Sequence, residues 1–419
     1  MATFTDVMEE FLIQLSQEST ATHAHLLRRL EQHFGITISL RTLQRVLQRT
    51  QLTRTARYVP ADTELNAVIA DVQSDHANQV GGRLMLEYAR SREPDWNISQ
   101  ERLRELLRAH NPAAVQIRRE LHLHPRAYAS RGPNHVWHID QYDKLKPYFP
   151  IHACIDGYSR KVLWMRVVPS NNNPVNVVEL YLDQVERAGG CPLVTRTDRG
   201  NENELVAAMQ RFFRSFQVDD DRAYRSHRWG SSPSNQRIEA NWSRFRRGGG
   251  GEWIDALDRL RQRGYLDDSD PRIRHIFQII CLPILKKWID EWVTVWNRHR
   301  IRRSRSHNMV PGKPIQLYVA PIAPAIDCLQ PVTDNQIALA RQNAIADPST
   351  LSVYMTDQER EQAMYDINNY LRFKRMSITD INKHNWEGVF KEFMRYRLNE
   401  QLRGPAADEG LVGDHDVQQ

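Results

Sequence analysis

The chain has 419 residues, 41% hydrophobic and 26% charged, with a formal net charge of +6, an ordinary globular balance with core material for about two to four domains. No apolar run nears the roughly 20 residues of a membrane span, and the first residues lack the basic start and apolar core of a signal peptide, so no membrane partner and no export are expected. The four cysteines, Cys154, Cys191, Cys281 and Cys328, form no C-x-x-C pair, which predicts free, mostly buried thiols in a reducing compartment.

Residues 6–16 predict a short amphipathic helix with Phe11, Leu12 and Leu15 on one side. Residues 25–34 predict a second, striped by Leu26, Leu27, Leu30 and Phe34 and stopped at Gly35. After the short turn Ile36-Thr37-Ile38, Ser39 caps a third helix whose Leu40, Leu43, Val46 and Leu47 face inward. Helix, turn, capped helix is the helix-turn-helix pattern. Its outward residues are Arg41, Thr42, Gln44, Arg45 and Arg49, types that reach bases and phosphates. Arg41, Gln44 and Arg45 are therefore the expected DNA contacts of a unit spanning 1–62.

The pattern recurs sixty positions later. Ile98-Ser99 with Leu103, Leu106 and Leu107 repeats the spacing of Ile38-Ser39 with Leu43, Val46 and Leu47. A second helix-turn-helix-like unit is thus expected over 63–120, with Arg102, Arg104 and Arg108 outward. A helical bundle that touches no DNA is the alternative for both, and Glu101 and Glu105 favour it for the second.

A polar, basic linker at 121–131 leads into a different pattern. Residues 135–140, 150–155 and 161–168 read as strands, the last two joined by an Asp156-Gly157 turn. Helix over 174–187, strand over 193–197 and helix over 201–213 follow. Two of the strands deliver an aspartate at their ends: Trp137-His138-Ile139-Asp140 and Thr195-Arg196-Thr197-Asp198. Beyond Pro233, the run from Asn235 through Glu239 to Trp242 has no breaker and reads as a helix. Asp140, Asp198 and Glu239 are hard oxygen donors of the kind that hold Mg²⁺. Phosphodiester cleavage and transfer use two such cations roughly 3.5–4 Å apart, clamping the attacking and leaving oxygens. Asp156 belongs to a hairpin turn and Asp143 lies off the strand end, so neither joins the set.

At these residues the chain resembles the integrase core, the catalytic domain of retroviral and retrotransposon-type integrases and related transposases. The likeness covers roughly residues 132–318. It rests on four motifs in the family's order: W-H-I-D, I-D-G-Y-S-R, T-D-R-G and N-Q-R-I-E before a tryptophan. It is nearest to integrase-core proteins of eukaryotic genomes. The resemblance implies an α/β, RNase H-like fold over 132–320: a mixed five-stranded sheet with flanking helices, preceded here by all-α units and followed by a helical C-terminal region. It implies catalysis at Asp140, Asp198 and Glu239 with two Mg²⁺ or Mn²⁺ ions, DNA ends and target DNA as partners, a homo-oligomer, and the nucleus as site of action in a eukaryote. In that family the residue four before the glutamate and basic residues beyond it touch the DNA end, which here are Asn235 and Arg246, and Arg237 joins them as a neighbouring cation. The zinc domain that precedes retroviral cores needs Cys ligands, and none occurs before Cys154, so His23, His25 and His33 read as surface residues.

Forty residues separate Asp198 from Glu239, and the polar stretch 216–233 reads as a mobile active-site loop. Seven arginines fall between Arg222 and Arg247 and five between Arg298 and Arg305, either solvated faces or phosphate contacts. Trp288, Trp292 and Trp296 form a packing stripe on a long helix interrupted near Pro283, and Trp296-Asn297-Arg298-His299 matches a W-N-x-H ending of the family. Residues 321–403 read as helices of unassigned role and 404–419 as a disordered acidic tail. Three functions follow in order: a DNA-joining enzyme, a domesticated DNA-binding protein without catalysis, and a simple nuclease, the last disfavoured by the N-terminal readers.

Overall fold

Val136–Tyr142 (β1) is the hub of the sheet. It pairs antiparallel with Ile151–Asp156 (β2), which pairs antiparallel with Val162–Val167 (β3). On its other side β1 runs parallel to Val194–Thr197 (β5), and β5 parallel to His227–Trp229 (β6). The order is β3-β2-β1-β5-β6, a mixed five-stranded sheet with the RNase H-like arrangement. β2 is buried along its whole length, its polar His152 and Asp156 included. The computed structural model describes residues 6–17, 22–50, 58–75, 80–112, 130–230, 235–302 and 310–403. The linker up to residue 129 and the tail from 404 lie outside them.

Before the sheet come two three-helix groups. Asp6–Gln17 (α1), His23–Phe34 (α2) and Leu40–Arg49 (α3) close over Leu12, Leu26, Leu30 and Leu43. Ser39 Oγ accepts from the Thr42 amide, and Gly35 ends α2 in the left-handed region, so the turn is built as its residues predict. Leu40 departs from expectation, being 48% exposed. His25 departs too: it is buried on the inner face of α2, not on the surface. Asp62–Asp75 (α4), Gly82–Arg92 (α5) and Gln100–His110 (α6) form the second group around Leu65, Met85 and Leu103.

The sheet's flanking helices are Pro174–Ala188 (α7) and Glu204–Ser215 (α8), which bury Val178, Tyr181, Leu182, Val206 and Phe213 against Trp137 and Ile139. The stretch expected to be an open loop after 215 instead contains Asp220–Tyr224 (α9) and the edge strand β6. A three-residue strand with only His227 buried has no periodicity to read. Of that stretch, 231–233 lie outside the described residues. Then come Gln236–Phe245 (α10), a π turn at Arg246–Gly250, and Gly251–Gln262 (α11). The glycine run breaks the helix, as its residues predict: Gly248 and Gly249, the latter at φ 114°, leave helical geometry between α10 and α11. A Cβ at Gly248 would sit 2.9 Å from the Trp292 indole nitrogen, so glycine is what lets the bend close on that ring.

Contacts divide the chain into two units, Met1–Asp255 with Leu285–Tyr354, and Ala256–Ile284 with Met355–Gln419. The expected boundary between 320 and 321 falls inside the first of these units. The short ladder of Gly190–Cys191 (β4) with Gln330–Pro331 (β7) carries Asp334–Ala344 (α14) onto the core, where Ile337, Ala340 and Ala344 join the cluster of α7 and α8. Conversely, 256–284 leaves the core to join the last helices. Pro271–Arg298 (α12) runs unbroken through Pro283, flanked by buried Ile280 and Leu285, whose packing outweighs the roughly 3 kcal/mol a helix-interior proline costs. Pro314–Val319 (α13) closes the expected core segment. In the second unit, Asp357–Lys374 (α15) and Trp386–Arg403 (α16) pack Tyr370 against Phe393, and Arg272 grips Asp366 with two hydrogen bonds of 2.7 and 2.8 Å. All four cysteines are free and buried, as expected.

Candidate active site

Asp140 lies near the C-terminal end of β1, and Asp198 directly follows β5. The parallel register pairs His138 with Arg196, so two residues further on Asp140 and Asp198 fall side by side on strands about 4.8 Å apart. Trp242 on α10 donates its indole N–H to Asp140 Oδ2 at 2.9 Å, which sets Glu239, one turn earlier on the same helix, over the pair. The Asp140 carboxyl is pushed up to about 7, first by burial and then by the negative charges of Asp198 and Glu239, against the pull of the Trp242 bond. The three expected acids are thus near one another. Among the described residues no three acidic, His or Cys side chains are drawn close enough to hold a metal ion. Their chemistry still fits a hard divalent cation: carboxylate oxygens only, one of them short of positive charge.

A fourth carboxylate went unseen in the sequence. Glu202, in the turn Asn201–Asn203, accepts from Gln141 Nε2 at 3.3 Å and from Asn203 Nδ2 at 3.2 Å. Asn203 Nδ2 also donates to Asp198 Oδ1 at 2.9 Å, so one buried amide ties the two acids together. Burial raises the Glu202 carboxyl, and the charges of Asp198 and Asp143 raise it further. Any side chain at Gly200 would displace that carboxylate, since its Cβ would lie 2.0 Å from Glu202 Oε1. Position i+4 from Asp198, on a turn entering a helix, was the available signal.

The helix carrying Glu239 is bolted at both ends. Asn235 is 2% exposed. Its Oδ1 lies 2.6 Å from His138 Nδ1, and its Nδ2 donates to the Ile139 carbonyl at 3.0 Å. Asn235 was expected to touch DNA; buried with both ends of its amide engaged on β1, it holds α10 on the strand instead. His138, also buried, is held neutral with its ring lowered to about 3 by burial, opposed by the Asn235 bond and reinforced by Arg196 and Arg237. At the other end, Phe245 packs edge-on against Trp288 and Trp292 at 5.4 and 5.3 Å. The tryptophan stripe is therefore packing. The W-N-x-H ending is a bolt as well: Asn297 Oδ1 accepts from the Val162 amide at 2.8 Å and its Nδ2 donates back to the Val162 carbonyl at 3.0 Å.

Residues 127–328 match the family model described as integrase core domain. That stretch, just under half of the chain, is similar to the integrase core. No curated protein matches it. Among solved structures, it is similar to a chain in the cryo-electron microscopy structure of the simian T-cell lymphotropic virus intasome in complex with PP2A regulatory subunit B56 gamma. That match has 15% identity and a TM-score of 0.26, covering 55% of this chain and 75% of that one. The likeness is too remote to assign a function.

The remaining expected residues of this core separate in space. Asp156 is wholly buried in its turn, accepting from the Asn134 amide at 2.7 Å and from the Ser159 amide and hydroxyl at 2.7 and 2.6 Å. It is a hairpin bolt, three register positions from Asp140. Arg246 is exposed and lies near the Tyr142 hydroxyl at the end of β1, where its charge lowers the proton affinity that burial raises. Arg237 is half-buried and faces Arg160 and Arg244, away from Glu239. Arg41, Gln44 and Arg45 are exposed along the outer face of α3.

Proposed function

We propose that this protein is a metal-dependent DNA integrase or transposase of the Asp-Asp-Glu type. It cleaves phosphodiester bonds at element ends and joins 3′-OH ends to target DNA, working as a homo-oligomer, in the nucleus where its host is a eukaryote. The observation that carries the reading is Asp140 flanked by Asp198 across the parallel register and by Glu239 on the bolted helix.

Asp140, Asp198 and Glu239 would hold Mg²⁺ or Mn²⁺, with Glu202 beside them. When bound, two such ions supply the positive charge that activates the attacking oxygen and stabilises the leaving one. The chain's own residues orient the ligands. Trp242 fixes the Asp140 carboxylate by one oxygen. Asn203 holds Asp198 and Glu202 at one spacing. His138 and Asn235 keep the start of α10 on β1, so Glu239 cannot slide along the strand. Arg246, exposed at the end of that helix, is placed to meet a phosphate of the entering DNA end.

Joining of a labelled duplex end in Mg²⁺ tests the reading. Asp198→Asn, Asp140→Asn and Glu239→Gln are each expected to fall to background while the fold and DNA binding persist. Mn²⁺ should raise the melting temperature of the parent protein and not that of Asp198→Asn. Near-parental joining by Asp198→Asn would sink the assignment. Intact specific binding with no joining by the parent would make the protein a DNA-binding descendant of such an enzyme.

A further inference from the structure

Arg160 ends the I-D-G-Y-S-R hairpin in the left-handed region, φ 63°, where glycine or asparagine would sit at less cost. Its side chain is 5% exposed. Nη2 donates to the Val310 carbonyl and Nε to the Ser159 carbonyl. Nη1 is buried with no hydrogen-bond partner among the described residues. Asp156, the acid whose charge bears on Arg160, already accepts from Asn134 and Ser159. Arg237 and Arg244 are the two positive charges that bear most on Arg160. Arg244 donates to the Ala240 carbonyl and lies over the Trp296 ring at 5.4 Å. Neither Arg160 nor Arg244 makes an ion pair among the described residues. A buried guanidinium with an idle donor, beside two more guanidinium groups, is costly unless an anion completes it.

The surroundings say which anion. Arg237 and Arg244 both stand about 140–160° round the helix from Glu239, at 100° per residue, so this cluster is on the far flank of the catalytic helix. Positive charge continues in both directions. Arg247 neighbours Arg244 on one side. On the other, His299 lies among Arg244, Arg160 and Arg83, and Arg83 lies among Arg302, Arg104 and Arg300. A continuous file suits a polymer of phosphates better than a single small anion.

We propose that Arg160, Arg237 and Arg244 form a phosphate-binding pocket that takes one backbone phosphodiester of bound DNA, on the flank of the catalytic helix opposite the acidic site. Arg160 is its floor and supplies the idle Nη1; the half-buried Arg237 and Arg244 are its rim. The pocket rests on the DNA-processing reading for the identity of its polyanion and on nothing in the metal chemistry.

The test is equilibrium binding of a 20-base-pair duplex (a length of about two helical turns) to the full chain, with chelator present so that catalysis plays no part. Affinity is followed against salt concentration for the parent, Arg160→Gln, Arg244→Gln and the double variant. One lost phosphate contact lowers the slope of log affinity against log salt by about 0.9, and affinity roughly fivefold at 0.15 M salt. Each single variant is expected to show that loss, and the double no larger slope change, because the residues serve one phosphate. Inorganic phosphate should also raise the parent's melting temperature above that in chloride of equal ionic strength, and not that of Arg244→Gln. Unchanged slopes with stabilised folds would overturn the pocket and leave Arg160 as a structural charge. Phosphate stabilisation without a slope change would assign it to a free small anion and overturn the DNA contact. Should Arg160→Gln fail to fold, Arg244→Gln at the rim decides alone. A failed joining assay with the expected slopes would remove the enzymatic reading and leave the pocket standing.

Discussion

The two three-helix units before the core begin their last helices in the same way and differ in what their outer faces meet. Ser39 Oγ caps α3 by accepting from Thr42, and Ser99 Oγ caps α6 by accepting from Arg102, at 3.1 and 3.2 Å. Leu43 and Leu103, at matching positions, are both wholly buried. On α3 the outward Arg41 and Arg45 are exposed and make no ion pair among the described residues. On α6 the positions matching Arg41 and Arg45 are the exposed acids Glu101 and Glu105, and Arg102, which matches Thr42, is tied down, donating to Asp62 Oδ1 and to the Pro60 carbonyl, both at 2.7 Å. The second unit is also fastened to the core's own helix. Val295 of α12 is part of its apolar cluster, Arg92 pairs with Glu291 at 3.4 Å, and Lys313 pairs with Glu87 at 3.8 Å in a nearly buried setting. A shared capping pattern thus specifies a helix and its inner face, while the charges available on neighbouring elements decide whether the outer face stays exposed or anchors.

The largest test of that contrast is Leu43→Ala against Leu103→Ala. Both empty a closed core and should cost about 2–5 kcal/mol locally. Leu103→Ala is expected to lower the melting of the sheet-containing core, because its cluster shares Val295. Leu43→Ala should leave that transition in place and abolish sequence-specific DNA binding. Differential scanning calorimetry with a binding isotherm on the same samples separates them, and equal loss of core stability would erase the distinction.

Acid should act next, and through the first unit. His25 is lowered from 6.5 to about 4, by burial and then by Arg28, Arg29 and Lys313. The unfolded chain therefore takes up this proton more readily than the folded one. His25 leaves stability intact above pH 6.5 and removes it as pH falls from 6.5 towards 4, by about 2–3 kcal/mol. Amide exchange of α1–α3 across that window should accelerate in the parent and much less in His25→Phe. A parent profile as flat as the variant's would show that His25 is not the group responsible.

The smallest effects concern single arginines. Arg41→Ala or Arg45→Ala should each weaken binding to the specific sequence by about 1–3 kcal/mol if it reads a base, with little change in melting. Arg102→Ala should do the reverse, leaving DNA affinity alone and costing about 0.5–1.5 kcal/mol for its partly exposed bonds. Binding loss for Arg102→Ala equal to that for Arg41→Ala would give the second unit a reading role too.

Much of the core was legible because its motifs are local. A strand that ends in aspartate and a breaker-free helix around a glutamate announce themselves within ten residues. The misjudged residues failed for one reason. Asn235 has the chemistry of a DNA contact and the spacing of one, yet its partner His138 stands 97 positions earlier. Glu202 looked like an ordinary helix-start acid until β1 brought Gln141 to it across 61 positions. The edge strand β6 has no periodicity because a three-residue edge with one buried side chain leaves none.

By itself the sequence determined most of the elements, most of their apolar faces, and which carboxylates end the strands, since capping, turn chemistry and periodicity act over a few residues. Tertiary structure alone decided what each polar side chain meets. It turned Asn235 inward, joined 334–344 to the core and released 256–284 from it. It also set Arg160 against Val310, 150 positions away, with one donor unmatched among the described residues. A buried hydrogen bond or charge takes its value from the partner that long-range packing supplies, and no local pattern carries that partner's name.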